Sequence, residues 1–416
     1  MHGMAADYEH VNLCDLSLQF QNPSNYYGFD PRPFLKATPG LRRLCLNIRY
    51  TRNTCALLPG FLREHCPELK TLIFYEYARP NEETSFHDRP VRNNDGATMI
   101  PSLTAVPERG LKHIVFQEQN YEGISPSILL PLIDEDTSKL LVSLDLDGPG
   151  IVNPEVMAHL SGFVFQSLQY LRLKGPYSRV TRSELCSFLQ HSVPNLMHVS
   201  LHDIRYHRWD YPVIDDTVLA TLASSTPRLE SIGLECCYKV TGAGMLLFLE
   251  RMSGQLRSIT VEQCASVMTN KVMQFVAENM DTLDELTIDE KHSCLTATDI
   301  EKFLDIRRSG RTTGNDDSSK KKRHTIRRLN ITFHFDHGYG TSYPGTAYLD
   351  HLFKKMDVGA KEWKFISQVS MDALNSIHHR GENAYVGEVN HISYRKKQLR
   401  YAPKTAYYES FKAIRY

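Results

Sequence analysis

The stretch Leu229–Gly244, LESIGLECCYKVTGAG, decides the fold. Leu229, Ile232 and Leu234 are spaced as L-x-x-I-x-L, a short strand whose alternate side chains enter a core. Cys237 follows as a small buried plug at the turn. Val240 and Thr241 lead out of it, and Gly244 with Met245, Leu246, Leu247 and Leu249 starts a helix that carries the chain back to a next strand. One such unit buries only part of its apolar face, so it requires neighbours.

The chain supplies them. The same L-x-x-L-x-L spacing occurs at Leu13-Leu16-Leu18, Leu41-Leu44-Leu46, Leu69-Leu72-Phe74, Leu111-Ile114-Phe116, Leu141-Leu144-Leu146, Leu168-Leu171-Leu173 and Leu196-Val199-Leu201. It continues at Leu256-Ile259-Val261, Leu283-Leu286-Ile288 and, more weakly, Ile326-Leu329-Ile331. Most of the units follow one another at 27 or 28 residues, within the period of leucine-rich repeats. The segments Asn153–Phe165, Thr181–His191, Asp215–Ala223, Thr269–Met280 and Thr298–Ile306 each begin with or near a capping residue, and their apolar residues recur at three and four. The expected fold class is therefore α/β, a leucine-rich-repeat solenoid or horseshoe, with parallel strands on the concave face and helices on the convex face. The expected organisation is a short segment 1–12, a solenoid of about 11 units over 13–331 with loops at 77–110, 203–212 and 307–325, and degenerate repeats with a C-terminal cap over 332–416.

Cys237 followed by Val240-Thr241, and Cys264 followed by Val267-Met268-Thr269, resemble the cysteine-containing subclass of leucine-rich repeats. That subclass is best known from F-box/leucine-rich-repeat proteins, substrate receptors of cullin-based ubiquitin ligases, and from related ribonuclease-inhibitor-like proteins. The resemblance covers about residues 13–331. It implies a protein-binding scaffold acting in ubiquitin-dependent protein degradation as the substrate-recognition subunit of an SCF-type ligase, with a ligase adaptor and a cullin as partners. No F-box is visible ahead of Leu13, so a longer form of the chain or another cap is expected to supply the docking module. The alternative is a stand-alone leucine-rich-repeat interaction or inhibitor protein unrelated to ubiquitin.

Composition narrows the partner. The chain has 416 residues, 41% of them hydrophobic, enough for a real core. Lys+Arg and Asp+Glu number 48 each, so no global field draws the chain to nucleic acid or an anionic membrane. Nine cysteines show no paired C-x-x-C spacing. The N-terminus MHGMAADYEH carries no apolar signal segment, and no apolar run is long enough to cross a bilayer. The expectation is an intracellular protein, cytoplasmic and/or nuclear, with reduced thiols.

The inner face is readable because the x positions of each unit point away from the core. The position after the last apolar strand residue runs Asp147, Lys174, His202, Glu235, Glu262 and Asp289. Glu235, Glu262 and Asp289 would stack about 4.8 Å apart on adjacent strands. With Glu230, Asp284 and Glu285 nearby, they suggest an acidic patch for a basic peptide or protein segment. Tyr206, Trp209 and Tyr211, with Arg205 and Arg208 in the insertion DIRYHRWDYP, are the residue mixture of interface hot spots. The tract Lys320-Lys321-Lys322-Arg323 has the composition of a nuclear-import signal.

Catalytic motifs are missing: there is no P-loop, no G-x-G-x-x-G opening a helix, no G-x-S-x-G and no H-E-x-x-H. His334, Asp336 and His337 lack a companion cluster for a metal, and His378-His379 does too. The expectation is a protein that is not an enzyme and carries no cofactor or metal. Past Ile331, Ala347–Met356 and Lys361–Ile377 read as partly helical, and the tyrosines and basic residues that follow lack a recognisable nucleic-acid module, which leaves a protein as the expected partner.

Overall fold

The computed structural model describes residues 13–19, 32–47, 52–76, 110–118, 125–148, 150–175, 180–203, 213–264, 267–290, 295, 297–312, 326–335, 360–369 and 392–394. Its strands are β1 (Asp15–Gln19), β2 (Arg43–Asn47), β3 (Thr71–Glu76), β4 (His113–Glu118), β5 (Ser143–Asp147), β6 (Tyr170–Gly175), β7 (His198–Asp203), β8 (Ser231–Glu235), β9 (Ser258–Glu262), β10 (Glu285–Glu290), β11 (Ile326–Phe335), β12 (Ala360–Val369) and β13 (Ile392–Tyr394). They form one sheet in sequence order. Every pairing from β1 to β12 is parallel; β13 alone pairs antiparallel, with β12. Helices α1 (Arg32–Lys36), α2 (Arg52–His65), α3 (Ser125–Leu132), α4 (Glu135–Leu140), α5 (Pro154–Ser161), α6 (Arg182–His191), α7 (Asp216–Ser225), α8 (Gly242–Met252), α9 (Asn270–Asn279) and α10 (Ala297–Thr312) connect them.

The register follows the repeat. Leu44, Leu72, Ile114, Leu144, Leu171, Val199, Ile232, Ile259, Leu286 and Leu329 form one row across ten strands. From Leu44 to Leu286 all are buried. A one-residue slip would turn each strand inside out, so the alternation itself fixes the pairing. Just ahead of each strand from β1 to β9 a single carbonyl accepts two N–H groups from the next repeat, as Met197 does from Glu230 and Ser231, Glu230 from Arg257 and Ser258, and Arg257 from Asp284 and Glu285. Strands lie about 4.8 Å apart and helices about 8–10 Å apart. An array with one of each per unit therefore curves, the strands on its inner face. The fold is a leucine-rich-repeat solenoid.

Four helices start where the sequence places their caps, at Asn153, Thr181, Asp215 and Thr269, whereas α10 opens at Ala297, one residue before the expected Thr298. Asn153, Thr181, Asp215, Thr241 and Thr269 are N-caps, each accepting a backbone N–H from the first turn. Thr181 and Glu184 complete a capping box. Behind the strands, Leu185, Phe188, Leu219, Met245, Phe248, Val272, Met273 and Val276 fill the space between the two layers.

The cysteines of the two clearest repeats tie neighbouring turns together. Cys236 and Gln263 take left-handed φ values of 58° and 52°, turning the chain out of β8 and β9. Their N–H groups donate to Glu262 O (2.9 Å) and Asp289 O (2.5 Å) of the next strand. The Cys237 thiol donates to Leu201 O at 3.4 Å, one repeat back, and the Cys264 thiol to Leu234 O at 3.6 Å. Cys264 Sγ accepts the Cys237 N–H at 3.3 Å. A small side chain with a weak donor makes contacts with these strand-end carbonyls that a leucine there could not make.

Three sequence expectations are corrected. Lys361–Ile377 is not helical at its start: Ala360–Val369 is a strand, and its period-two apolar residues Trp363 and Phe365 stand in register with Leu329 and Ile331. Residues 307–312, expected as the start of a loop, belong to α10, which runs on to Thr312. Arg307 is buried there and donates to the last carbonyls of α9, Val276 O and Met280 O, both at 2.8 Å. α8 opens two residues before Gly244, with Thr241 as its cap. Residues 1–12, 77–109, 204–212, 313–325 and Ala347–Met356 lie outside the described residues.

Candidate functional site

The outward positions of the strands form three rows on the exposed face. The first is Thr71, His113, Ser143, Tyr170, His198, Ser231, Ser258 and Glu285. The second, two residues on, includes Asp145, Arg172, Ser200, Gly233, Thr260 and Thr287. The third is Asp147, Lys174, His202, Glu235, Glu262 and Asp289, the row read from the repeats. Glu235, Glu262 and Asp289 are therefore brought side by side on β8, β9 and β10.

That acidic run is the end of an alternating one. Lys174 Nζ pairs with Asp147 Oδ2 at 3.1 Å and Arg172 Nη1 with Asp145 Oδ2 at 3.1 Å. His202 Nδ1 lies close against Glu235 Oε2, and His202 Nε2 stands 2.7 Å from Ser200 Oγ. Burial pushes the Glu235 carboxyl up, but the hydrogen bond and charge of His202, then Lys174 and Arg172, outweigh it and hold it below the usual range. Asp145 goes the other way: burial raises it above the usual carboxylate range against the pull of Arg172. Its Oδ1 has no hydrogen-bond partner. In the first row Tyr170 and His198 stack with centroids 4.3 Å apart and planes 6° from parallel. Burial holds His198 below the usual imidazole range, with Glu230 opposing.

Glu230 and Asp284 do not join this run. They flank Arg257 at the other end of the strands, with Nε 3.5 Å from Glu230 and Nη1 3.5 Å from Asp284. The five residue steps from Glu230 to Glu235 span about 16 Å of extended chain. Glu285 opens β10 in the first row, beside Ser258 and Arg328. The acidic group expected as one patch is thus two, one of them bridged by a guanidinium. Tyr206, Trp209 and Tyr211 lie outside the described residues. The segment that holds them is anchored at its base, because the buried Asp203 carboxylate accepts the N–H groups of Val213 (3.0 Å) and Ile214 (3.3 Å).

Asp145, Arg172, Ser200 and Tyr170 belong to the face and were not singled out from the sequence. A signal existed for two of them: Leu144-Asp145-Leu146-Asp147 and Leu171-Arg172-Leu173-Lys174 put D-x-D beside R-x-K one repeat later. Among the described residues no group of three or more His, Cys, Asp or Glu is placed to hold a metal ion, and no helix is long and apolar enough to cross a membrane.

No family model matches the chain, and no curated protein matches it. Among solved structures that match is one titled "Crystal structure of Rad7 and Elc1 complex in yeast", at 14% identity over 76% of this chain and 75% of that one, with a TM-score of 0.38.

Proposed function

We propose that this chain is a protein-recognition scaffold that works by positioning, with no catalytic residue of its own, and that its partner docks on the exposed strand face. The observation that carries this reading is the third row, in which charged side chains stand in hydrogen-bonded register from β5 to β10 and end in Glu235, Glu262 and Asp289. Fixed charges at a strand's spacing select a partner by electrostatic complementarity more than by buried area. A protein segment with basic residues fits the β8–β10 end. The cysteine-containing repeats around Cys237 and Cys264 favour a finer reading, in which the bound protein is presented to a cullin-based ubiquitin ligase in the cytoplasm or nucleus.

Affinity purification of the chain from its own cells, with mass spectrometry of the proteins that accompany it, tests both levels. Recovery of a cullin and its adaptor supports the ligase reading. A stable protein partner without them leaves the scaffold and removes the ligase. Recovery of no protein partner at all overturns the scaffold.

A further inference from the structure

We propose that the β2–β4 end of the exposed strand face is a docking site for an acidic protein segment that carries aliphatic side chains. The second row is apolar there: Cys45, Ile73 and Val115 are register partners on β2, β3 and β4, each half-buried. On the next strand the row becomes charged, with Asp145 paired to Arg172. Directly beneath the apolar run, on the core side of β3 and β4, Phe74 and Phe116 stack with centroids 5.1 Å apart. The patch thus stands on a packed floor and keeps its shape when a partner covers it.

The edge of this patch is basic. One residue ahead of β2, β3 and β4 stand Arg42, Lys70 and Lys112, held side by side because the Lys70 N–H donates to Arg42 O at 2.9 Å and the Lys112 N–H to Lys70 O at 2.8 Å. Arg43 opens β2. Arg42 and Arg43 are exposed, and Lys70 and Lys112 are half-buried. Among the first residues of β1 to β4 and those just ahead of them, Asp15, the register partner of Arg43, is the one carboxylate. Four cations therefore stand against one anion. His113 adds no charge at neutral pH, since burial and the Lys112 charge hold its imidazole below the usual range. In the third row Asn47, Tyr75 and Gln117 are uncharged. An apolar centre with a polar and charged rim is the anatomy of a protein interface, and the sign of this rim selects carboxylates. A nucleic-acid backbone would satisfy the cations and leave Ile73 and Val115 without apolar contacts, so a protein segment fits better.

The same edge reverses its sign at the other end of the sheet. There Glu230, Asp284 and Glu285 stand against Arg257. From β3 to β9 there are six strand spacings, about 29 Å, or about nine residues of extended chain. A segment lying across the strands is thus read in one direction, its acidic part over β2–β4 and its basic part over β8–β10. Only this orientation rests on the binding role proposed above for β8–β10.

The test uses the full chain and a rhodamine-labelled synthetic peptide of about a dozen residues made of Glu, Leu and Ser, its binding followed by fluorescence anisotropy at low and high salt. The peptide is expected to bind, and to bind less well as salt rises. Lys70→Glu and, separately, Ile73→Ser should each weaken it by about tenfold. The double substitution Glu262→Ala and Asp289→Ala should leave it no weaker. If Ile73→Ser does not fold, a peptide with Ser in place of every Leu carries the same comparison and should bind about tenfold less tightly to the unaltered chain. Failure of the first peptide to bind, equal binding to Lys70→Glu, or equal binding of the peptide without Leu overturns the proposal. So does a single-stranded oligonucleotide of the same length that binds as tightly. None of these results bears on which proteins accompany the chain in its own cells.

Discussion

At Gly244 local and tertiary preferences pull in opposite directions. In the first turn of α8 an alanine would favour the helix by about 1 kcal/mol. A Cβ there would stand 2.0 Å from Asp216 Oδ1, which accepts the Thr241 N–H at 2.8 Å while Oδ2 accepts the Thr241 hydroxyl at 2.7 Å. Overpacking of this kind costs about 1–3 kcal/mol, and the lost cap contact adds to it. Gly244→Ala is therefore expected to destabilise the chain by about 2 kcal/mol in chemical denaturation. In an Asp216→Ala background the same substitution should cost much less, because the clashing carboxylate is gone. The thiols give a second residue-scale prediction. Burial pushes Cys66 up to about 11, and burial together with the Cys264 contact raises Cys237 well above its ordinary value. Cys14 is exposed. Native labelling with a maleimide near pH 8 should modify Cys14 well before Cys66 or Cys237, and denaturant should abolish the difference.

Between elements, the β7–β8 contact links the charge row to acid stability. Glu235 has a folded-state value below its ordinary one near 4.5. Its contribution is complete above the ordinary value and is lost as pH falls through the folded one. Between about pH 5 and pH 3 the wild-type chain should thus lose stability that Glu235→Gln does not lose, read as converging denaturation midpoints. The outer part of the row concerns binding. Once the partner is isolated, the double substitution Glu262→Ala and Asp289→Ala should weaken its binding by about tenfold at low salt, and by less at high salt. An unchanged affinity would move the docking site off β9 and β10.

For the whole molecule, stability in a repeat array is a sum over units and their interfaces. Leu16 in β1 is half-buried and, among the described residues, has a neighbouring strand on one side only, whereas Leu234 in β8 is buried between two. Leu16→Ala should cost about 1 kcal/mol and Leu234→Ala about 3 kcal/mol, measured by chemical denaturation. The same additivity explains what was legible in the sequence. A period-two alternation recurring every repeat specifies register almost without help, so Ile232, Ile259 and Leu286 could be aligned by eye and the third row followed. Capping residues at Asn153, Thr181, Asp215 and Thr269 carry local chemistry and were equally plain. Contacts that depend on the neighbouring strand's identity were harder. Glu235, read as one of three like charges, has His202 as its partner on the other side, and Arg257 draws Glu230 and Asp284 to the far end of the strands. The run from Arg307 to Thr312 looked like the start of a polar loop, since nothing local shows that the Arg307 guanidinium has two carbonyls of α9 to reach.

The Asp203 clamp has a consequence for how such a chain changes over time. By holding the amides of Val213 and Ile214, one buried carboxylate sets the separation of the two ends of segment 204–212, whatever residues lie between them. Doubling the length of chain between two fixed ends adds only about 0.6 kcal/mol of closure entropy. The stem is thus a fixed socket, and the sequence between its ends is free to diverge or to be replaced by grafting while the scaffold beneath keeps its form.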